Sequence, residues 1–333
     1  MIKKVKKIIG IAAGKGGVGK STVSVNLALA LKECGFSVGL LDADIYGPSL
    51  MKMLCVKSLP KQGDEGIIPA VAEGICCMSM AFFNQGATIV RAPIANQVIH
   101  QFLHEVEWGE LDFLLVDFPP GTGDVQLTLL QEAGFCGIVI VTTPQEVALI
   151  DVQKTVEMIQ KASVPIYGVV ENMSYFEEGG KKHFVFGSGG GARLAESFHL
   201  PLLAEIPIDP QIGICGDSGQ SLFEGPRSKS GEIFLELSKK ITEFPEDNAV
   251  HFSLDEGRLK VEWTDGLQRL FKGKEMQRYC PCILCRNEKA KELGESEMVQ
   301  VNGVGNYGLK IQFSHGCSSG IYPFSLLRGI CSN

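Results

Sequence analysis

Apolar runs of strand length alternate with helix-length segments along residues 1–240. The run IIGIAA leads into an apolar-periodic helix that begins near Gly19, and later strands are predicted at CGIVIVTTP, PIYGVVENM and LLAEIPID. A helix from about Glu146 to Ala162 separates the first two of these later strands. Apolar strands that alternate with helices are typical of a parallel sheet covered on both faces, with right-handed crossovers. The pattern predicts an α/β fold with a doubly wound, mainly parallel sheet.

The pattern changes after residue 240. Residues 241–250, ITEFPEDNAV, combine proline with acidic residues and are predicted to form a linker. Residues 251–333 carry short alternating runs, HFSLDEGRLKVEW, VGNYGLKIQF and GIYPFSLLRGIC, separated by turns such as Asp265-Gly266. We therefore predict two domains, 1–240 and 251–333, of which the second is a small, β-rich α+β fold.

The composition is that of a folded globular protein and excludes several kinds of partner. Of 333 residues, 45% are hydrophobic and 21% are charged. The net charge of −7 argues against nucleic-acid binding, and no run reaches the roughly 18 apolar residues of a membrane span. The N-terminal apolar run lacks a signal-peptide cleavage site. We expect a cytoplasmic protein with no nucleic-acid or membrane partner, whose 11 cysteines are reduced.

A glycine-rich segment carries the first candidate chemistry. Gly14, Gly19, Lys20 and Ser21 complete the pattern G-x-x-x-x-G-K-[ST] between a predicted strand and a predicted helix. Its glycines let successive backbone N–H groups face one anion, and the helix N-terminus adds its positive dipole end. Lys20 is expected to contact the β- and γ-phosphates of ATP and Ser21 a Mg²⁺ ion. The predicted nucleotide-binding loop comprises Gly14, Lys15, Gly16, Gly17, Val18, Gly19, Lys20, Ser21 and Thr22.

Acidic residues follow two other predicted strands. Asp42 and Asp44 end the strand in VGLLDADIYGPS, and Asp117 ends the strand in LDFLLVDFPPGTGD. Ligands bind at the carboxyl edge of open α/β sheets, where these strands end. Carboxylates there can hold Mg²⁺ through water and can orient an attacking water molecule. Together with the glycine loop they predict a nucleoside triphosphatase.

The motifs also resemble one known family. Lys15 in GKGGVGKST resembles the extra lysine of the deviant Walker-A ATPases related to MinD and ParA. LDADIYGPS, VDFPPGTGD, VVENMSYF, FGSGGGARLAE and IPIDPQI, in this order and spacing, resemble the Mrp branch of that class, the ATP-binding iron–sulfur cluster carriers. The resemblance covers roughly residues 1–240 and implies slow, Mg²⁺-dependent ATP hydrolysis.

Specific roles follow from this resemblance. It implies a homodimer in which Lys15 reaches the nucleotide of the partner subunit, and it implies that Asp44 positions the catalytic water. Asp42 and Asp117 are expected in the Mg²⁺ shell, and Asn172 is expected to face the adenine. Proteins that donate or receive iron–sulfur clusters are the implied partners. A third possibility is a positioning ATPase like MinD or ParA. It is disfavoured because the C-terminal residues show no basic amphipathic helix with which to bind a membrane.

The chain departs from the family in the segment NMSYFEEGGKKHFVFG. Most members carry a C-P-x-C pair there, through which two subunits bridge a [4Fe–4S] cluster. Here Glu177, Glu178, Gly179 and Gly180 occupy that place, and carboxylates are hard ligands poorly suited to such a cluster. Two functions therefore remain open: an iron–sulfur cluster carrier, or a nucleotide-switched scaffold that carries no cluster.

Other cysteines and histidines of the first domain are expected to be structural. Cys76 and Cys77 are neighbours on a predicted strand, so they point to opposite faces and are expected to pack in the core. His100 and His104 share a possible helix face, where surface positions are expected rather than metal ligation.

The second domain carries three cysteines within RYCPCILCRN. Cys280, Cys282 and Cys285 surround one point and need a fourth ligand. The segment resembles the small zinc-carrying domain at the N-terminus of gamma-butyrobetaine hydroxylase, in which a histidine completes the site. Aligning Phe313 with the tryptophan of that family's W-x-D-G-H pattern implies that Cys317 takes the histidine's place, and His315, at the aspartate's position, is the weaker candidate. Four thiolates suit Zn²⁺, which we expect here, and an iron–sulfur cluster accepts the same ligand set.

Overall fold

A computed structural model describes residues 2, 4–44, 47, 49–82, 92–162, 164–226, 228–244, 251–263, 267–282, 297–304, 308–318 and 320–330. The chain divides into two units, Met1–Phe244 and Pro245–Asn333. None of the helices in the described part of the chain combines the length and the apolar character needed to cross a bilayer.

Strands and helices alternate along the first unit. Its strands are β1 Val5–Ala13, β2 Val38–Asp42, β3 Lys61–Gln62, β4 Ile67–Ile68, β5 Ala70–Ala72, β6 Ile75–Ser79, β7 Leu111–Asp117, β8 Gly137–Thr142, β9 Ile166–Glu171, β10 Phe176–Glu178, β11 Lys181–His183 and β12 Leu202–Glu205. Its helices are α1 Lys20–Glu33, α2 Leu50–Met53, α3 Ala92–His104, α4 Asp124–Glu132, α5 Glu146–Lys161, α6 Gly190–Phe198, α7 Pro210–Ser218 and α8 Lys229–Glu243, with a 3₁₀ turn at Met80–Phe82.

Eight of these strands form one sheet, in the order β12-β9-β8-β1-β7-β2-β6-β5. All neighbours in this sheet are parallel except β5 and β6, which form an antiparallel pair at one edge. The strand order changes direction on either side of β1, so the sheet is doubly wound. The predicted fold class of the first unit is confirmed.

Both faces of the sheet are buried, which explains the near-continuous apolar strands. Along β1, Ile8 and Ala12 belong to a core cluster that includes residues of α3, α4, α5 and α6. The alternate residues Ile9 and Ile11 belong to a second cluster, which includes residues of α1 and α8. Each fully buried side chain of this kind contributes roughly 1.5–3 kcal/mol of transfer free energy. Helices therefore cover the sheet on both sides and leave its carboxyl edge for the loops.

Helix α8 extends further than the sequence pattern suggested. It continues to Glu243 and so includes the first residues of the segment predicted as a linker, because Ile241 is fully buried in the core of the first unit. Phe244, which precedes Pro245, is extended with ψ 128°, as residues before proline prefer. The rest of the predicted linker, residues 245–250, lies outside the described residues.

The second unit consists of short antiparallel strands and small helices. Its described elements are β13 His251–Asp255, β14 Arg258–Glu262, β15 Gln268–Lys272, α9 Gly273–Arg278, β16 Met298–Val304, β17 Gly308–Phe313, β18 Ile321–Pro323 and α10 Phe324–Gly329. They form two three-stranded sheets, β13-β14-β15 and β16-β17-β18. Leu259 and Val261 of one sheet and Leu309 and Ile311 of the other are fully buried in one core. The predicted β-rich α+β fold is confirmed.

One element of this unit differs from its sequence pattern. The run GIYPFSLLRGIC is a strand only as far as Pro323 and continues as helix α10. Phe324, Leu327 and Ile330 are buried and lie three residues apart, which is the spacing of one helix face. The predicted turn at Asp265-Gly266 lies outside the described residues.

Candidate functional site

The glycine loop joins the carboxyl end of β1 to Lys20, the first residue of α1. A Cβ on Gly14 would lie 2.3 Å from the backbone nitrogen of Val152. A Cβ on Gly19 would lie 2.2 Å from Nδ2 of Asn172, and the φ of Gly19 is 78°, which glycine adopts readily. These two glycines determine the path of the loop, because no larger residue fits at either position.

The other side of the loop is open. Gly16 and Gly17 are exposed, and a Cβ at either position would meet nothing within 4 Å. Lys15 and Thr22 are partly exposed. No described side chain caps the N-terminus of α1, and its first turn contains no acidic residue. The first N–H groups of α1 and the positive end of its dipole are therefore available to an anion.

Side chains from the start of α1 converge on Asp117, at the carboxyl end of β7. Ser21 Oγ donates a hydrogen bond to Asp117 Oδ2 at 2.7 Å, and Ser24 Oγ donates to Oδ1 at 2.5 Å. Lys20 Nζ lies 2.8 Å from Oδ2 in an ion pair whose side chains are only 7% and 0% exposed. The ammonium makes no hydrogen bond of good geometry within the described part of the protein, so its N–H groups remain available for a ligand.

Asp42 lies beside Asp117, as its register partner on the neighbouring strand β2. It accepts hydrogen bonds from the backbone nitrogen of Asp44 and from Ser79 Oγ, both at 3.1 Å. Burial, followed by the repulsion of the Asp117 carboxylate, raises the pKa of Asp42 to about 7. Two buried carboxylates side by side form a site that a divalent cation would stabilise.

The remaining predicted nucleotide-site residues lie at the same edge of the sheet. Asp44 follows β2, is partly exposed, and accepts a hydrogen bond at Oδ1 from the backbone nitrogen of Gly47 at 3.1 Å. Asn172 follows β9 and is buried, and its Nδ2 donates to the carbonyl oxygen of Val18 at 2.9 Å. Asn172 therefore contacts the glycine loop itself.

Two serines of this site were missed by the sequence analysis. Ser24 lies one helical turn after Lys20, so its position on the same face of α1 is a signal that the sequence contains. Ser79 carries no such signal, because it becomes a neighbour of Asp42 only through the pairing of β6 with β2.

The segment that replaces the family's cysteine pair is a β-hairpin. Its strands, β10 and β11, are joined by Gly179 and Gly180, whose φ angles are 57° and 78°. Positive φ at both central residues is the requirement of a type I′ turn, which glycine meets without strain. Glu177 forms an ion pair with Lys229 at the start of α8. The hairpin is thus a regular, well-paired element.

The adjacent cysteines of β6 pack in the core, as expected. Cys76 lies against one core cluster of the sheet, and Cys77 is buried in the other. Burial raises the pKa of the Cys77 thiol to about 12, so it remains protonated at neutral pH. These two cysteines do not face a common site.

Three of the four predicted metal-ligating cysteines lie together in the second unit. Cys317 Sγ is 3.8 Å from Cys280 Sγ and 3.4 Å from Cys282 Sγ. Cys280 is buried and the other two are half-buried. A Cβ on Gly320 would lie 2.7 Å from Cys280 Sγ, so a glycine there leaves room for the thiol cluster. The fourth predicted ligand, Cys285, lies outside the described residues.

Comparison with known proteins covers both units. Residues 4–242 match the ParA family model described as NUBPL iron-transfer P-loop NTPase. Residues 250–328 match the family model of the gamma-butyrobetaine hydroxylase-like N-terminal domain.

Several curated relatives are more than 40% identical to this chain over the aligned residues. The iron–sulfur cluster carrier protein of Haemophilus influenzae is 44% identical over 248 residues, which are 72% of this chain and 67% of the relative. The iron–sulfur cluster transfer protein NUBPL of Mus musculus is 42% identical over 248 residues, covering 72% and 78%. The chloroplastic Fe–S cluster assembly factor HCF101 of Arabidopsis thaliana is 45% identical over 240 residues, which are 71% of this chain and 45% of the relative.

Solved structures agree with these relationships. A nucleotide-binding protein from Archaeoglobus fulgidus, in complex with ADP, is 38% identical with a TM-score of 0.61, covering 68% of this chain and 91% of that one. The cell division ATPase MinD of Pyrococcus furiosus shares the fold at 24% identity, with a TM-score of 0.56 over 72% of this chain and 100% of that one. The resemblances inferred from the motifs are confirmed. The chain belongs to the ParA-type family of NUBPL iron-transfer P-loop NTPases.

Proposed function

We propose that this protein binds and hydrolyses ATP and acts as an iron–sulfur cluster carrier or assembly protein. The observation that carries the nucleotide part is the contact of Asp117 with Lys20 and Ser21 at an open glycine loop. Support for the cluster part comes from relatives of more than 40% identity that are named for iron–sulfur cluster carriage or transfer. The cluster is cargo in this proposal, passed between donor and recipient proteins.

In this proposal the loop from Gly14 to Thr22 binds the phosphates of ATP through backbone N–H groups and the N-terminus of α1. Lys20 contacts the β- and γ-phosphates, while Ser21 and Asp117 would hold Mg²⁺, which would neutralise developing charge on the phosphates. The fit of these groups is good, because the helix terminus is uncapped and the buried Lys20 ammonium lacks a hydrogen bond in the described residues.

The other residues act around the γ-phosphate and the base. Asp44 orients the attacking water, and Asp42 contributes to the Mg²⁺ shell through water. Asn172 faces the adenine, and its Nδ2 also donates a hydrogen bond to the Val18 carbonyl of the glycine loop. Lys15 of each protomer in a homodimer reaches the partner's nucleotide. ATP binding then closes the dimer and slow hydrolysis reopens it.

Cys280, Cys282, Cys285 and Cys317 are proposed to hold one resident Zn²⁺. Sulfurs around a tetrahedral Zn²⁺ with bonds near 2.3 Å lie about 3.8 Å apart. The distances of 3.4 and 3.8 Å to Cys317 Sγ fit such a shared ion. In a [4Fe–4S] cluster each thiolate binds a different iron, which spreads the sulfurs further. Bound Zn²⁺ would contribute to the folding stability of this small unit.

A second candidate function is a nucleotide-switched scaffold that carries no cluster. The observation in its favour is the hairpin from Phe176 to His183, where carboxylates and glycines take the place of the family's cysteine pair. The buried, protonated thiol of Cys77 does not replace that pair. In either case we propose a cytoplasmic homodimer with no nucleic-acid or membrane partner, since a reducing compartment keeps the thiols available for metal.

Replacing Lys20 by alanine should weaken ATP binding by roughly 10- to 100-fold, because a charge-assisted hydrogen bond contributes about 1.5–3 kcal/mol. Isothermal titration calorimetry with ATP and Mg²⁺ measures this change. Lys52→Ala is the matched control, since Lys52 is exposed on α2. An unchanged affinity in Lys20→Ala would remove the assigned nucleotide site.

Asp44→Ala should bind ATP normally and hydrolyse it roughly 100-fold more slowly, within the range of general acid–base contributions. Phosphate release under saturating ATP measures the rate. Asp64→Ala, at an exposed position, should leave the rate unchanged. Normal turnover in Asp44→Ala would mean that another residue orients the water.

Asp42 should make the stability of the nucleotide-free protein depend on pH. Its pKa is raised from 3.8 to about 7, so the folded state binds more protons than the unfolded state between these values. The protonated Asp42 carboxyl group therefore contributes to the free energy of unfolding. The contribution is fully present below about pH 4 and is lost as the pH rises through about 7. Asp42→Asn keeps an acceptor but not the charge, so its advantage in melting temperature over the wild type should grow from pH 5 to pH 8. An advantage that does not change with pH would contradict the assignment.

Metal and sulfide analysis of protein purified without oxygen separates the two functions. We expect a Zn²⁺ ion that depends on the cysteines, lost in Cys280→Ser and retained in Cys34→Ser, an exposed cysteine. After reconstitution with iron and sulfide, a carrier retains both in addition to zinc, whereas a scaffold retains zinc alone. If iron and sulfide are instead lost in Cys280→Ser, the cluster is bound by the cysteines of the second unit.

A further inference from the structure

Two histidines and a glutamate lie together on α3 and α4, away from the nucleotide site. His100 and His104 are one turn apart at the end of α3, and Glu132 is the last residue of α4. These helices lead into β7 and β8, so their C-terminal ends lie at the amino edge of the parallel sheet. The glycine loop and the aspartates lie at the carboxyl edge. The three residues, which we call the His–Glu group, therefore belong to no part of the site described above.

The geometry of the His–Glu group suits a single ion. Glu132 Oε2 lies 3.5 Å from His104 Nε2 and 4.0 Å from His100 Nε2. One ligand atom from each residue lies within 4.8 Å of the other two. Ligand atoms around a tetrahedral Zn²⁺, with bonds of about 2.0–2.2 Å, are separated by roughly 3.3–3.6 Å. The distance from Glu132 Oε2 to His104 Nε2 is already in this range.

One carboxylate oxygen of Glu132 has no hydrogen-bond donor among the described residues. Glu132 Oε2 is buried, yet it accepts no hydrogen bond from any group in the described residues. The Nε2 atoms of the two histidines lie within ion-pair distance of this oxygen but make no hydrogen bond to it. A buried carboxylate oxygen without a donor is unfavourable, and a bound cation would compensate it.

The helices that carry the His–Glu group are well anchored. Ile99 and Leu103 of α3 and Leu129 and Leu130 of α4 are buried in the same core cluster. Because these residues flank the three ligands on both helices, the ligands are presented from a rigid base. The two histidine rings are also close, with centroids 4.4 Å apart.

We propose that His100, His104 and Glu132 form a second metal site, which binds a divalent transition-metal ion such as Zn²⁺ or Co²⁺. Imidazole nitrogens are borderline ligands that prefer such ions to Mg²⁺ or Ca²⁺, and a carboxylate joins them in many zinc sites. Since both histidines are exposed, water completes the coordination. The bound ion links the end of α3 to the end of α4, the helix that follows the Asp117 segment. This site shares no residue with the cysteine cluster of the second unit, and the proposal does not depend on the proposed function.

Cobalt titration of the full-length, metal-free protein tests the site. Thiolate ligation of Co²⁺ produces intense near-ultraviolet charge-transfer bands, whereas nitrogen and oxygen ligands do not, so the two kinds of site are distinguished in one sample. Equilibrium dialysis counts the bound ions. We expect the wild type to bind one more Co²⁺ per chain than the double variant His100→Ala/His104→Ala, with equal charge-transfer bands in both. Added Zn²⁺ should raise the melting temperature of the first unit only where the group is intact.

Matched variants decide the outcome. Glu132→Gln keeps the size of the side chain and removes its charge, so it should also lose the additional ion, and it remains informative if the double variant fails to fold. Glu105→Gln and His183→Ala, at exposed positions outside the group, should bind as the wild type does. The proposal is overturned if the wild type and Glu132→Gln bind the same number of ions with the same affinity, which would leave only a histidine–glutamate ion pair.

Discussion

The candidate nucleotide site depends on one buried charge, the carboxylate of Asp117. It lies at the end of a central strand with no exposure to solvent, and it is tolerated because it pairs with Lys20 and accepts hydrogen bonds from Ser21 and Ser24. Removing one partner from such a group leaves an uncompensated buried charge, which is strongly destabilising. The interaction therefore ties the first turns of α1 to β7 and positions the glycine loop over the sheet edge.

This chain keeps the glycine loop and the aspartates of its family but not the family's cysteine pair. The glycine loop and its aspartates lie together at the carboxyl edge of the sheet, whereas the segment predicted to carry the family's cysteine pair is a hairpin with a two-glycine turn. The close thiols lie instead in the second unit, at spacings that suit one ion. Hard oxygen ligands and soft sulfur ligands thus occupy different parts of the chain, and each set selects a different class of metal.

The parallel sheet gives its two edges different chemistry. At the carboxyl edge, strand ends deliver carboxylates beside the N-terminus of α1, where anions and their counter-cations are stabilised. At the amino edge, the C-terminal ends of α3 and α4 bring imidazoles and a carboxylate together. The same crossover connections that build the sheet therefore create two separate places where ionisable side chains from distant segments meet.

The sequence by itself determined the fold class, the glycine loop and the C-x-C-x-x-C spacing, because each is a local pattern: apolar periodicity, or a few residues within one turn. It did not predict helix α10 or the true end of α8, since there the burial of Leu327 and Ile241 decided the element. Only the tertiary structure decided which distant residues meet. The pairing of β6 with β2 brought Ser79 to Asp42, and the packing of α3 on α4 brought Glu132 to His104. The raised pKa of Asp42 likewise depends on burial and on a neighbouring strand, which no local pattern encodes.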